Sequence, residues 1–152
     1  MYDEPFWRAD GFSGQASEPG AASEVTIDAS PMSGSPGVLA SFTFGPVAEK
    51  MHALDPAERR AAVIASLVRR FGSRAASPSD YVETEWWTEE WTRGCSMAHF
   101  APGILTRYGH LLRQPWDRIH WAGTETATIS HGAIDGAVRS GERAATEVLA
   151  AD

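Results

Sequence analysis

The sequence predicts a mixed α and β fold in which short strands and an amphipathic helix precede a strand, loop and long helix. Three observations predict it. Glu24–Ala29 and Val38–Phe44 alternate apolar and polar residues over strand-like lengths. Asp55-Pro56 opens an amphipathic run that closes at Gly72. Trp121 to Gly132 is an apolar segment followed by a polar, threonine-rich loop that leads into a helix of small residues.

Taken in order, residues 1–14 carry Pro5-Phe6-Trp7-Arg8 and a glycine-bounded turn, Gly11-Phe12-Ser13-Gly14, which predicts loop or edge strand. Residues 15–23 are small and polar and predict a loop. Val25 and Ile27 mark a first strand, and Ser30 to Gly37 interrupts it with two prolines and two glycines. Val38, Ala40, Phe42 and Phe44 then share one face of a second strand that is free to pair with the first, and Gly45-Pro46 is expected to stop it.

Asp55 is placed to accept from the free N–H groups of the next helix, Pro56 fits its first position, and Glu58 completes an aspartate capping box. Val63, Ile64, Leu67, Val68 and Phe71 form its apolar stripe, while Arg59, Arg60, Arg69 and Arg70 predict a solvated face. Beyond the Ser77–Asp80 turn, Tyr81–Trp87 predicts a strand and Thr88–Ser96 an aromatic-packed loop. Ile104 to Leu112 shows helical spacing that Pro115 ends, and Ile119–Ala122 predicts a short strand. The final helix is expected from about Gly132 to Leu149. Gly132, Gly136, Ser140 and Ala144 form a bare stripe for close packing, and Ile134, Val138, Val148 and Leu149 are expected to supply core contacts.

The 152 residues suit one ordinary domain, and the formal charge of −7 with no basic run disfavours a nucleic-acid or anionic-membrane surface. No stretch has the apolar length of a membrane span, and the N-terminus lacks a secretory pattern, so the expected address is cytoplasmic. The single cysteine, Cys95, excludes an intrachain disulfide and is an inert thiol, a reactive one or an attachment point. The six tryptophans suggest a large interface or an enclosed pocket. The histidines have no metal-ligand spacing, no serine elbow occurs, and adjacent Glu89 and Glu90 face different ways, so neither a metal site nor a catalytic side chain is expected.

Several segments together resemble the C-terminal part of flavin-containing monoamine oxidases, in the wider flavin amine oxidase family. They include Glu4 to Arg8, Trp86 to Cys95, Pro102 to Thr106, Leu112 to Pro115, Ala122-Gly123-Thr124-Glu125-Thr126-Ala127-Thr128, and Gly141-Glu142-Arg143-Ala144-Ala145. The resemblance implies an α+β and α/β fragment. Residues 1–84 would be part of a mixed-sheet substrate-binding domain, and 85–152 the strand and helix that complete a Rossmann-like FAD domain, with the N-terminal dinucleotide-binding half absent.

It implies FAD as cofactor, bound by Gly94, Cys95, Gly123, Thr124, Glu125, Thr126, Gly132, Ala133 and Ile134, with a covalent link through Cys95 as in monoamine oxidases. The family's two cage tyrosines correspond to Ser96 and Ala133, neither aromatic, so the amine channel would be wider or framed by other aromatics, with Trp91, Ser96 and His131 as the substrate-pocket residues. The implied reaction oxidises a small amine to an imine and reduces oxygen to hydrogen peroxide. No Gly-x-Gly-x-x-Gly fingerprint follows a strand in this sequence. The readings left open are part of a larger or split oxidase needing a dinucleotide-binding segment or partner chain, and an inactive remnant or structural subunit.

Overall fold

A computed structural model describes residues 1–95 and 98–151, and the chain separates into two compact units, Met1–Thr84 and Glu85–Asp152. In the first, α1 (Phe6–Ala9), β1 (Ala16–Ser17), β2 (Val25–Asp28), β3 (Leu39–Phe42), α2 (Gly45–His52) and α3 (Pro56–Phe71) follow in sequence. The strands form an antiparallel sheet in the order β1-β2-β3, with Thr26 opposite Ala16 on one side and Ser41 on the other.

The core of this unit is aromatic. Tyr2, Phe6, Trp7, Leu67, Phe71 and Ala75 are buried together, and the Phe6 and Trp7 rings meet edge to face with centroids 5.2 Å apart. Trp7 is fully enclosed, so its indole N–H needs a partner and donates to Asp28 Oδ2 at 2.9 Å. Asp28 also accepts from Arg8 Nε at 2.7 Å, and through Oδ1 from the Ser30 backbone at 2.9 Å. One carboxylate therefore ties α1 to β2 and to the turn that follows it.

The α3 helix begins as expected, with Asp55 Oδ1 accepting from the N–H groups of Ala57 and Glu58 at 2.8 and 3.0 Å and Pro56 inside the first turn. It ends at Gly72, whose φ of 81° is left-handed and suits glycine. The arginines are less free than a solvated face implies. Arg70 is half-buried and folds back onto Ser66 Oγ at 3.0 Å, and Arg69 pairs with Glu18 at 3.3 Å.

Other expectations change. α1 replaces the loop expected at the N-terminus, because four residues are too few to show a helical period. The strand already ends at Phe42, and Gly45-Pro46 starts α2 instead, since proline is as well suited to a first helical turn as to a break. The apolar residues of the strands are not the enclosed ones. Thr26 is the enclosed residue of β2, while Ile27, Phe42 and Phe44 keep 39%, 40% and 53% of their surface exposed.

The second unit holds α4 (Ile104–Tyr108), a tight turn over Gly109–Leu112, another over Thr124–Thr126, and α5 (Ile134–Leu149). The strands expected at 81–87 and 119–122 are absent. The only pairing near the latter is an isolated bridge between Trp116 and Ile119, closed by Asp117 at φ 53°. A β-prone run needs a neighbouring strand, and for 119–122 none lies in this unit among the described residues, while 81–87 pairs with none of the three strands of the sheet.

Helix α5 starts at Ile134 rather than Gly132, because Ser130 (φ 55°) and Gly132 (φ 81°) lie in the left-handed region and cannot continue a right-handed helix. Its buried residues are Gly136, Ser140 and Ala144, the expected small stripe. Ile134 and Leu149 are instead 86% and 79% exposed, with Val138 and Val148 also exposed. The small stripe, not the branched residues, is the side that packs. No described helix is long and apolar enough to cross a membrane.

Candidate functional site

The loop from Trp121 to Ala133 is held on α5 through closely matched backbone and small side chains. A Cβ at Gly136 would stand 2.2 Å from the Ser130 carbonyl oxygen and 3.0 Å from Ala127 Cβ, so the loop rests directly on the helix backbone. One turn later, Ser140 Oγ accepts from the Gly123 N–H at 2.9 Å and donates to the Ala137 carbonyl at 2.7 Å. The Gly123 carbonyl accepts from Thr126 Oγ1 at 2.9 Å and Thr126 N–H at 3.0 Å, so both backbone polar groups of this glycine are satisfied. Gly123 itself sits at φ 132°, a conformation a side chain would resist.

Thr124 Oγ1 donates to the Ala133 carbonyl at 3.1 Å, joining the start of the loop to the start of the helix. Glu125 turns the other way, and its Oε1 accepts from the Ala98 N–H at 3.0 Å. Below them, Arg143 donates to the Trp121 carbonyl at 2.6 Å and Thr126 Oγ1 at 3.2 Å, and pairs with Glu147 at 2.5 Å. Glu147 also meets His120 Nδ1 at 3.1 Å. His120 and then Arg143 hold the Glu147 carboxyl below its ordinary range.

At the helix N-terminus, Ala133 is the N-cap and no side chain caps the first-turn N–H groups. Asp135 stands in that turn and is held ionised by Arg139, at 2.8 Å, and by Ser130. Gly132 and Ala133 leave the approach to these donors nearly bare, and Ile129 and Ile134 flank it with exposed apolar surface. An uncapped set of N–H donors beside small residues and apolar walls fits a flat, acceptor-edged ring system such as a flavin, the more so for a ring that gains negative charge.

The structure thus brings Gly123, Thr124, Glu125, Thr126, Gly132, Ala133 and Ile134 into one loop–helix constellation, with His131 exposed beside it. Trp91, Gly94 and Cys95 lie in the preceding loop; Trp91 is 91% exposed, and the Cys95 thiol is free and exposed. No hydrogen bond among the described residues joins these three to the 123–126 turn. Ser96 lies outside the described residues. Sequence reasoning gave no role to His120 or Glu147, and saw Ser140 only as a small residue. The spacing of Ser140, Arg143 and Glu147 places all three along one side of α5, but it does not show which loop groups they meet.

Residues 1–149 match the profile of the flavin containing amine oxidoreductases, and the chain belongs to that family. It is 46% identical over 149 residues to the Mycobacterium tuberculosis protein named "Putative flavin-containing monoamine oxidase AofH", covering 98% of this chain and 32% of that one. It is 41% identical to an L-amino acid dehydrogenase of Synechocystis, covering 97% of this chain and 31% of that protein. Among solved structures, wild-type putrescine oxidase bound to putrescine superposes with a TM-score of 0.90 at 38% identity, over 98% of this chain and 33% of that one. The chain therefore spans about a third of the length of the relatives it matches, and its mixed α/β fold resembles part of a flavin amine oxidase.

Proposed function

We propose that this chain is the C-terminal part of an FAD-dependent amine oxidase. In this reading residues 1–84 are part of the substrate-binding domain, and residues 85–152 complete the FAD domain. The observation that carries the reading is the loop–helix constellation, in which Gly123 is fixed by Ser140 and Thr126 beside an uncapped α5 N-terminus. Family membership supports an oxidase-type reaction. The chemistry supplied by bound FAD is hydride removal from the carbon bearing the amine, leaving an imine, with the electrons passed to oxygen as hydrogen peroxide.

The chain's own residues bind and orient. Gly123, Thr124, Glu125 and Thr126 form the wall of the cofactor site, and Gly132 and Ala133 leave open the approach to the helix N–H donors, which begin at Ile134, for a developing negative charge. Trp91, Ser96 and His131 border the substrate pocket, and Cys95, free and exposed, is the point of covalent attachment. Because the two cage positions are Ser96 and Ala133, neither aromatic, the amine channel is wider or is framed by other aromatics, Trp91 or His131. The remaining cofactor contacts come from a dinucleotide-binding segment in a longer chain or a partner, and the protein works in the cytoplasm.

The test is complementation. The chain is co-expressed with the preceding two thirds of AofH, and a panel of small amines is assayed for peroxide. Amine-dependent peroxide from the pair, and none from the AofH segment alone, is the expected result. A pair that assembles but gives no peroxide with any amine would favour the inactive remnant.

A further inference from the structure

Arg143 spans the loop. Its Nη2 reaches the Trp121 carbonyl at 2.6 Å and Thr126 Oγ1 at 3.2 Å, the two ends of the turn that contains Gly123, Thr124 and Glu125. Its Nη1 is turned away to Glu147 Oε1 at 2.5 Å, and Glu147 in turn meets His120, the residue before Trp121. Thr126 Oγ1 has its one proton committed to the Gly123 carbonyl, so it is free to accept from the guanidinium. The side chains of His120, Arg143 and Glu147 are only 12%, 26% and 28% exposed, which strengthens the contacts relative to open surface pairs.

From this geometry we infer that Arg143 is a positioning residue for the proposed cofactor site: its guanidinium clamps both ends of the 121–126 turn and, braced by Glu147 and His120, sets the turn's height on α5. The inference rests on the flavin reading for its purpose, but the clamp itself is a property of this chain alone. Planarity is what the role requires. Lysine supplies the charge on a single nitrogen, so it cannot hold Glu147 and both ends of the turn at once as Nη1 and Nη2 do.

The experiment compares the full chain with Arg143→Met, Arg143→Lys and Thr126→Val, reading amide hydrogen exchange at Gly123 and Thr126 together with FAD affinity by flavin fluorescence. Methionine keeps the aliphatic stem and its packing. Losing charged hydrogen bonds to the turn should speed exchange at both amides about tenfold and weaken FAD about tenfold in Arg143→Met. Arg143→Lys should recover part of both, and Thr126→Val, which removes the acceptor for Arg143 together with the donor to the Gly123 carbonyl, should speed exchange more than Arg143→Lys does. Unchanged exchange at both amides in Thr126→Val and the folded Arg143 variants would overturn the inference. Faster exchange in a chain whose wild type takes up no FAD would support the clamp while removing the flavin reading.

Discussion

Ser140 Oγ lies 2.9 Å from the backbone nitrogen of Gly123, and through this contact the middle of α5 fixes the loop that the proposed cofactor would face. Ser140 is 2% exposed, so nothing from solvent can replace its oxygen. Ser140→Ala would leave a half-buried N–H without an acceptor. Urea unfolding of the second unit should show a loss of about 1–3 kcal/mol.

Gly136 makes a related prediction with two opposing terms. Alanine in mid-helix is better than glycine by about 1 kcal/mol. The new Cβ, however, would meet the Ser130 carbonyl oxygen at 2.2 Å, and a backbone atom cannot rotate aside. Overpacking of this kind costs about 1–3 kcal/mol, here at the upper end, so Gly136→Ala should lower stability by about 2 kcal/mol in net. Faster exchange at Ala127 and Ala133, measured in the same protein, would locate the strain in the loop.

In the first unit, Trp7→Phe removes the indole N–H that donates to Asp28 and leaves space in an enclosed site. Both effects destabilise. The expected loss is about 2–4 kcal/mol by chemical denaturation, and the second unit's transition should not move.

Asp28 also sets an acid dependence. Arg8, followed by Ser30 and Trp7, holds its carboxyl below the usual carboxylate range against the opposing effect of burial. A carboxyl depressed in the folded state contributes stability that is complete above its unfolded value, about pH 4, and is lost as pH falls towards the folded value. Circular dichroism between about pH 4 and pH 2 should therefore show the first unit weakening in the wild type, with a flatter profile in Asp28→Asn.

Cys95 gives a chemical prediction. Acid precipitation of flavin-loaded protein should leave yellow colour in the pellet for the wild type and in the supernatant for Cys95→Ala. Colour in the supernatant for both would remove the covalent link and leave FAD binding intact.

The helix over Pro56–Phe71 was legible because Asp55, Pro56 and Gly72 act locally, through caps and backbone preference. The antiparallel β2 and β3 were legible from alternation, but their inner face was not. Alternation assigns apolar residues inward only where the chain buries them in its own core, and this core is built instead by Tyr2, Phe6 and Trp7 from the N-terminus. The same assumption misplaced Ile134 and Leu149, whereas the small stripe of α5 announced its packing through residues that only close contact explains. The loop at Gly123 stood out in the sequence as a strand, polar loop and helix start, and its proposed binding role came from the family resemblance. Its attachment by Ser140, and the Arg143–Glu147–His120 brace, depend on side chains meeting across a turn and were not visible in spacing alone.

The most direct test of the central claim is flavin uptake. The purified chain, alone and together with the preceding two thirds of AofH, is incubated with FAD, separated from free cofactor by gel filtration, and its visible absorbance recorded. A flavin band should elute with the protein in wild type and be lost in Gly136→Leu, whose side chain would push the 123–130 loop off α5. A colourless wild-type protein in both preparations would contradict the account.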